Sequence, residues 1–389
     1  MSEGTEGDGR GISTRAVHTG EPAMEVGAPV VNPIYQTTTF YSDPSGAGEV
    51  LYTRYGNNPN HRRVEARLRS IEGADECLVT ASGISAMVAA LLGCVRAGDH
   101  ILAARALYGG TQVLLDRELS RLGIESSYVD FSADGWRDAV RENTKVLLAE
   151  TLSNPLLRFT DPADLAPVAR EVGAAVVFDA TFTPGTNFRT YERGADLVVH
   201  SATKYFGGHS DVTAGVVCGR SDLMRSVADR ARIFGAALDP HAAWLLERGI
   251  KTLPLRMQRH NENGLAVARW ASEQPEIARV HYPGLDTHPD HAAAAERLNG
   301  FGGMMSIELR GGDEASDRFV RALRLAKVAP SLGSVETLVS EPRRTSHVAL
   351  TRDERRAQGI GDGFIRFSLG IEDAADLTAD IRRALDAAG

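Results

Sequence analysis

The chain has 389 residues, of which 43% are hydrophobic and 24% are charged, and its formal net charge at pH 7 is −8. Its length predicts two domains of unequal size, and an acidic balance without a basic stripe argues against binding to nucleic acid. Its three cysteines are too few and too scattered for a disulfide framework or a metal site, and no apolar run reaches the roughly 18 residues of a membrane span. The acidic, glycine-rich start is unlike a signal peptide, so we expect a cytoplasmic protein.

The first segment, residues 1–56, fits neither a helical nor a strand pattern. Pro29 and Pro33 interrupt it early, and Gly46 and Gly48 do so later. We therefore predict an extended N-terminal arm. Such an arm must lie on something and could lie on another subunit.

Residues 57–252 predict a large α/β domain. Near-continuous apolar strands that alternate with helices indicate a mostly parallel sheet covered on both faces. The predicted strands are 76–80, 100–103, 126–130, 146–150, 174–179 and 196–200, and the predicted helices are 84–95, 111–122, 135–141 and 162–172. Ligands of such sheets bind beyond the carboxyl ends of the strands, where we expect Glu150, Asp179 and His200 to cluster.

Residues 253–389 predict a smaller α+β domain. A long helix over 255–273 comes first, and an amphipathic helix over about 374–387 closes the chain. The strand-like segments between them are 277–282, 304–308 and 364–369.

Lys204 is the most informative residue of the large domain. It lies in Ser201-Ala-Thr-Lys-Tyr-Phe-Gly-Gly-His-Ser210, where shelter from water would lower its pKa and make it a nucleophile able to form a Schiff base. Asp179 ends another apolar run 25 residues earlier. A lysine for an aldehyde and an aspartate for a pyridinium nitrogen are the two protein groups that pyridoxal phosphate (PLP) requires, so this pair predicts a PLP site.

A phosphate site is predicted between a strand and the helix that follows it. Gly83, in Ala81-Ser-Gly-Ile-Ser85, lets backbone N–H groups such as that of Ile84 approach an anion at the helix N-terminus. Ser201 and Thr203 would add hydroxyl groups to the same phosphate. A tight turn with a serine cap explains these residues equally well, so both interpretations stay open here.

Tyr108 and Arg366 are candidates to contact cofactor and substrate. The ring of Tyr108, on a loop after a strand, could stack on a flat cofactor, and its hydroxyl could move a proton. Arg366 alternates with apolar neighbours and could bind a substrate carboxylate through two hydrogen bonds. A buried tyrosine with a satisfied hydroxyl and a solvent-facing arginine on an edge strand are the alternatives.

Two further motifs predict different chemistry. Ser201 and Lys204 match the S-x-x-K motif of penicillin-recognising serine hydrolases, so a serine acyl-transferase is an alternative, although the S-D-N and K-T-G motifs that accompany it are missing. His281, His288 and His291 suggest a metal site, but prolines and aspartates surround them and favour a solvated loop. We therefore predict no metal.

Together these motifs resemble the cysteine/methionine-metabolism family of PLP-dependent enzymes. That family includes methionine γ-lyase, cystathionine γ-lyase and β-lyase, cystathionine γ-synthase and the homoserine-ester sulfhydrylases. The resemblance runs from about residue 33 to the end of the chain. Its segments are Pro33-Ile-Tyr-Gln-Thr, Tyr52-Thr-Arg54, Leu107-Tyr-Gly-Gly-Thr, Glu150-Thr-Leu-Ser-Asn-Pro155, the Lys204 segment, Ser331-Leu-Gly333 and Ile365-Arg366.

The resemblance implies an aspartate-aminotransferase-type PLP fold in a homotetramer of two catalytic dimers. It also implies that Lys204 binds the cofactor aldehyde and later moves protons, that Asp179 keeps the pyridine nitrogen protonated, and that Tyr108 stacks on the ring and assists the leaving group. The remaining implied contacts are Gly83, Ile84, Ser201 and Thr203 to the phosphate, Tyr52 and Arg54 to the phosphate of the neighbouring subunit, and Asn154, Ser331 and Arg366 to the substrate carboxylate and a cofactor oxygen.

Departures from the family pattern leave the exact reaction open. Gly110 stands where methionine γ-lyases place a cysteine, and Pro330 stands where a glutamate is associated with cystathionine. Ala180 follows Asp179 where asparagine is common. We expect α,γ-elimination of methionine or a related sulfur amino acid to a thiol, ammonia and a 2-oxo acid. Gamma-replacement, as in cystathionine γ-synthase or a homoserine-ester sulfhydrylase, is the alternative because it uses the same residues.

Overall fold

A computed structural model describes residues 9–21, 25–348 and 351–389. The helices in these ranges are α1 Ile12–His18, α2 Pro59–Glu72, α3 Gly83–Cys94, α4 Gly109–Val113, α5 Pro162–Val172, α6 Ser221–Ile233, α7 Pro240–Ile250, α8 Leu253–Ser272, α9 His291–Arg297, α10 Gly312–Ala322, α11 Arg352–Ala357 and α12 Ala374–Ala388. The strands are β1 Glu76–Thr80, β2 His100–Ala104, β3 Glu125–Val129, β4 Thr144–Glu150, β5 Ala175–Asp179, β6 Leu197–Ser201, β7 Gly215–Gly219, β8 Ile277–His281, β9 Met304–Leu309, β10 Lys327–Val328, β11 Leu338–Ser340 and β12 Phe364–Ser368.

The larger sheet has the strand order β1-β7-β6-β5-β4-β2-β3 among the described residues. The five strands from β6 to β3 run parallel, whereas β7 is antiparallel to both of its neighbours. Helices cover both faces, with α3 against β6 and β7 on one side and α2 against β1 and β7 on the other. The predicted mostly parallel α/β sheet is confirmed.

The smaller sheet has the order β10-β11-β12-β9-β8 and is antiparallel except for the β10–β11 pair. Helices α8, α10 and α12 pack on it around a core that includes Phe319, Ile365 and Phe367. Its central strand, β12, is buried along its whole length. The strands of the larger sheet lie within residues 76–219, and those of the smaller sheet lie within residues 277–368. The predicted domain boundaries at 56/57 and 252/253 remain a prediction.

Local sequence explains where the main helices of the large domain begin. Asn58, Asp161 and Asp239 each cap a helix whose first residue is proline, a position that suits proline because its missing N–H has no partner there. Helix α3 begins with a capping box in which the side chains of Ser82 and Ser85 bond reciprocally to backbone N–H groups.

Several sequence predictions differ from the structure. Residues 135–141 contain only the short 3-10 helix Trp136–Ala139, and the helix predicted over 111–122 begins at Gly109 and has a π-helical segment, Leu114–Leu119. Sequence reasoning also missed β7, because its five residues begin and end with glycine, which signals turns more than strands.

The N-terminal segment is only partly extended. Helix α1 docks on α2 and α8, and the buried Arg67 donates a hydrogen bond to the carbonyl of Ala16 at 2.9 Å. Further along, Val26, Val30 and Tyr41 are almost completely exposed. The arm predicted over 1–56 therefore contains one short helix, and large apolar side chains among its described residues are exposed.

No helix in the described ranges combines the length and the apolar character needed to cross a membrane.

Candidate active site

Polar side chains converge at the carboxyl ends of three parallel strands. Glu150 at the end of β4 is paired in register with Asp179 at the end of β5, and Ser201 ends β6. The predicted third member of this cluster lies elsewhere, because the His200 imidazole turns to the other face of the sheet. Its Nε2 lies 3.4 Å from Oε1 of the buried Glu72, so strand alternation removes it from the site.

Lys204 lies three residues beyond β6, in a turn held by its own backbone. Its N–H donates to the carbonyl of Ser201 at 3.1 Å, and its carbonyl accepts from Gly208 N–H at 2.8 Å. Partial burial and, to a smaller extent, the positive charge of Arg366 lower the pKa of the Lys204 amine to about 8, against the opposing charge of Asp179. A neutral amine, the nucleophilic form, is therefore accessible near neutral pH.

A continuous chain of hydrogen bonds joins Lys204 to the small sheet. The Lys204 Nζ donates to Ser331 Oγ at 2.7 Å. Arg366 donates to the carbonyl of Ser331 and to Asn154 Oδ1, both at 3.1 Å. Asn154 and Arg366 are buried, and Ser331 is partly buried. Four predicted site residues therefore lie in one connected group.

Two features of this group are typical of a ligand-binding site. Ser331 has φ 91°, a conformation that is strained for a residue with a side chain and is concentrated at functional sites. The Nε of Arg366 is buried without a hydrogen-bond partner among the described residues. Burial lowers the guanidinium pKa to about 10, with Tyr108 and Tyr205 opposing, so the group stays charged at neutral pH. A buried cation with an unused donor suits a carboxylate ligand.

Asp179 and Glu150 form a buried pair of carboxyl groups. Asp179 Oδ1 accepts from the backbone N–H and the hydroxyl of Thr181 at 2.9 and 2.5 Å, while Glu150 Oε1 accepts from Tyr108 N–H at 2.5 Å. Burial and the charge of Asp179 raise the pKa of Glu150 well above its ordinary value. Burial also raises the pKa of Asp179, but the two hydrogen bonds from Thr181 and the charges of His200 and Lys204 oppose that rise. The negative charge is therefore better supported on Asp179 than on Glu150.

Tyr108 sits at the beginning of α4 with half of its side chain exposed. Its ring lies over Gly110, where an added Cβ would come within 2.5 Å of Tyr108 Cε1. The Tyr108 ring can therefore occupy this position only because residue 110 has no side chain. The half-exposed ring does not fit the alternative interpretation of Tyr108 as a buried tyrosine with a satisfied hydroxyl.

The predicted phosphate site is a tight junction between two segments. A Cβ on Gly83 would lie 2.7 Å from Ser201 Cβ, so only glycine allows this approach of the α3 N-terminus to the end of β6. The N–H groups of Gly83 and Ile84 belong to the first turn of α3, where no helical carbonyl faces them. Thr203 is less available, because its hydroxyl both donates to and accepts from the backbone of Ala214.

Tyr52 and Arg54 lie apart from the other candidates. Together with Thr37 and Leu238 they line a separate cleft of about 580 Å³. Arg54 packs on the Tyr55 ring, 5.1 Å from its centroid. Within the described residues, neither Tyr52 nor Arg54 forms a hydrogen bond with Lys204 or with the other predicted site residues.

The residues fit PLP. The amine, the aspartate, the glycine at the helix N-terminus and the half-exposed tyrosine all lie at the carboxyl ends of β4, β5 and β6 or are joined to them by direct contacts. These are the groups that the cofactor requires. A serine acyl-transferase fits less well, because the Lys204 amine bonds to Ser331 and not to Ser201.

Comparison with known proteins decides the family. The family model described as Cys/Met metabolism PLP-dependent enzyme matches residues 13–386. The chain belongs to this family. Its cofactor is pyridoxal phosphate, and the resemblance inferred from the sequence is confirmed.

Members of the family with different activities are about equally similar to this chain. An L-methionine gamma-lyase of Pseudomonas putida is 40% identical over 97% of the chain and 98% of the relative. An O-succinylhomoserine sulfhydrylase of Pseudomonas aeruginosa is also 40% identical, over 88% and 85%. A cystathionine gamma synthase structure from Xanthomonas oryzae pv. oryzae, in complex with aminoacrylate and cysteine, has a TM-score of 0.93 at 37% identity and covers 97% of this chain and 98% of that one.

Sequence reasoning placed Glu150 near the site but gave it no role, and it missed Thr181. The Glu150–Tyr108 bond spans 42 residues, so no local pattern reveals it. Thr181 had a weak signal, since a hydroxyl two residues after an aspartate commonly returns a hydrogen bond to the carboxylate.

The lowered pKa of Lys204 predicts how the apoprotein takes up PLP. Only the neutral amine attacks the aldehyde, and with a pKa of about 8 roughly a tenth of it is neutral at pH 7. We expect the uptake rate, followed by stopped-flow absorbance, to rise with pH to a plateau with its midpoint near pH 8. In Arg366→Gln the loss of the neighbouring positive charge raises the Lys204 pKa, so the midpoint moves to higher pH.

The matched control is Arg225→Gln, which removes a positive charge from an exposed position on α6. Its midpoint should equal that of the unmodified protein. A midpoint in Arg366→Gln that is unchanged or lower contradicts the electrostatic account.

Proposed function

We propose that this protein is a PLP-dependent carbon–sulfur lyase that catalyses α,γ-elimination of methionine or a related sulfur amino acid. The products are a thiol, ammonia and a 2-oxo acid. The observation that carries the proposal is the hydrogen-bonded group of Lys204, Ser331, Arg366 and Asn154. It sets a basic amine and a carboxylate-binding cation on either side of one serine, as an α-amino acid substrate requires.

The bound cofactor supplies the electron sink, and the chain supplies alignment and proton transfer. Arg366 and Asn154 hold the substrate carboxylate, so that the α-hydrogen faces Lys204. The Lys204 amine would accept this proton, deliver it to the cofactor carbon that carries the substrate nitrogen and, neutral again, accept a β-proton; its lowered pKa permits both transfers near neutral pH. The Tyr108 hydroxyl protonates the departing sulfur, and the half-exposed position of its ring leaves room to approach the substrate.

The remaining residues hold the cofactor. Asp179 pairs with the pyridine nitrogen, because the two hydrogen bonds from Thr181 support its negative charge. The N–H groups of Gly83 and Ile84 and the Ser201 hydroxyl bind the phosphate at the α3 N-terminus. The Thr203 hydroxyl binds the phosphate once it gives up one of its two hydrogen bonds to the backbone of Ala214.

A γ-replacement enzyme is the second candidate. The sulfhydrylase relative is as similar as the methionine lyase, and γ-replacement uses the same amine, arginine and tyrosine. The two reactions differ in whether a thiol enters the site and adds to the substrate after its γ-substituent has left.

Product analysis of the holoenzyme separates these reactions. We expect 2-oxobutyrate and a thiol from methionine alone. From O-succinylhomoserine plus cysteine we expect more 2-oxobutyrate, released with succinate and ammonia, than cystathionine. Arg366→Gln should raise KM for methionine about 100-fold or more, because a buried charge-assisted pair is lost, and Lys204→Ala should abolish turnover. Cystathionine as the main product, with no 2-oxobutyrate from methionine, would show the γ-replacement reaction.

We also propose that two copies share each active site, in a homotetramer of catalytic dimers. Tyr52 and Arg54 lie in a cleft away from Lys204 of the same chain, and Val26 and Tyr41 of the same segment are left uncovered. A second copy seated there would bury these apolar side chains and bring Arg54 to the phosphate of the other copy's cofactor.

Hybrid proteins test the shared site. Arg54→Ala and Lys204→Ala should each be inactive alone, but their co-expression should restore activity, because some hybrid sites then combine an intact Lys204 with an intact Arg54 from the other copy. Co-expression of Lys204→Ala with Asp179→Ala is the control and should restore none, since both residues serve the same site. Equal activity in the two mixtures contradicts the sharing.

A further inference from the structure

Two of the three cysteines face each other across neighbouring strands of the large sheet. Cys77 of β1 is the register partner of Cys218 of β7, and their sulfur atoms are 3.0 Å apart. Directly paired residues of antiparallel strands have Cα atoms about 4.5–5.5 Å apart, which lies within the 4.4–6.8 Å found for disulfides. The backbone therefore already has the spacing of a crosslink, although both cysteines are free thiols here.

The pair lies on the face of the sheet away from the cofactor site. Cys218 belongs to the core that α2 covers, with Cys77 packed against it, and the nearby carboxyl groups of Glu65 and Glu72 come from α2. Cys77 is the second residue of β1, while the turn that leads to Gly83 follows the other end of that strand. A covalent link would thus form several residues from any group that contacts the cofactor.

Access to the two thiols is unequal. Cys77 is half-buried on an edge strand, whereas Cys218 is fully buried. Burial raises the pKa of both thiols, and the charges of Glu65 and Glu72 raise it further, so reaction at neutral pH is slow. An oxidant would reach Cys77 first, with Cys218 placed to resolve the product.

We propose that Cys77 and Cys218 form an oxidation site at which a peroxide-class oxidant produces a cross-strand disulfide. The Cys77 sulfur attacks the peroxide, becomes a sulfenic acid and releases one water. The Cys218 sulfur then attacks the Cys77 sulfur, the S–S bond forms, and the hydroxyl leaves as a second water. The two thiols lose two electrons and two protons, and one peroxide is reduced to two waters.

The link would be a covalent bond between the edge strand β1 and its neighbour β7. Strand β1 ends just before Ser82, and β7 begins beside the end of β6, so both strands border the predicted phosphate site. The crosslink therefore stabilises the edge of the sheet that supports the cofactor. A thiol reductant reverses it.

Peptide mapping of the holoenzyme tests the site. The folded protein is treated with hydrogen peroxide, alkylated and digested without reduction. We expect one linked pair of peptides containing Cys77 and Cys218 that lacks two hydrogen atoms and disappears on reduction, while Cys94 remains alkylatable. Cys94, on α3 at the opposite face of the sheet, is the matched control: Cys94→Ser should keep the link, whereas Cys77→Ser and Cys218→Ala should lose it.

The principal measurement uses the unmodified chain, so it does not depend on whether the variants at buried positions fold. Three results overturn the proposal. They are sulfinic acid on Cys77 with Cys218 still free, both thiols still alkylatable after prolonged treatment, and a link that forms only after the protein has been unfolded.

Discussion

The hydrogen bond from Lys204 to Ser331 connects the two parts of the site. Lys204 is positioned by the turn after β6, and Ser331 lies between β10 and β11 of the small sheet. Arg366, on the buried central strand of that sheet, donates to the carbonyl of the same serine. The separation of the proposed base and the proposed carboxylate-binding cation therefore depends on how the two sheets are packed, and the residue that contacts both, Ser331, has a strained backbone.

A second constraint is electrostatic. Parallel pairing of β4 and β5 forces Glu150 and Asp179 side by side at the buried edge of the sheet, where two negative charges are unfavourable. The two carboxyl groups have different hydrogen-bond partners: Thr181 donates twice to Asp179, whereas Glu150 accepts from the backbone N–H of Tyr108. Asp179 is thus the better supported of the two as an anion, and Glu150 fixes the loop that carries the aromatic ring.

The mostly parallel sheet of the large domain could be predicted because its strands are apolar and the helices between them begin with recognisable capping residues. Both signals indicate the same alternation of strands and helices. Lys204 and Asp179 drew attention in the sequence because Asp179 ends an apolar strand and Lys204 lies three residues beyond the next one. His200 was expected beside them, but it is the last residue but one of β6, and alternation turns it to the opposite face, toward Glu72. The contacts of Glu150, Ser331 and the Cys77–Cys218 pair depend on residues far apart in the chain, which local patterns do not specify.

The central claim is that Lys204 is the residue that bears the cofactor, in contact with the small sheet. Borohydride reduction of the holoenzyme, followed by peptide mapping, tests it most directly because the reduced cofactor stays attached to its lysine. The account predicts a pyridoxyl group on Lys204 and its loss in Lys204→Ala. A pyridoxyl group on another lysine, such as Lys251, or no labelled peptide at all, would contradict it.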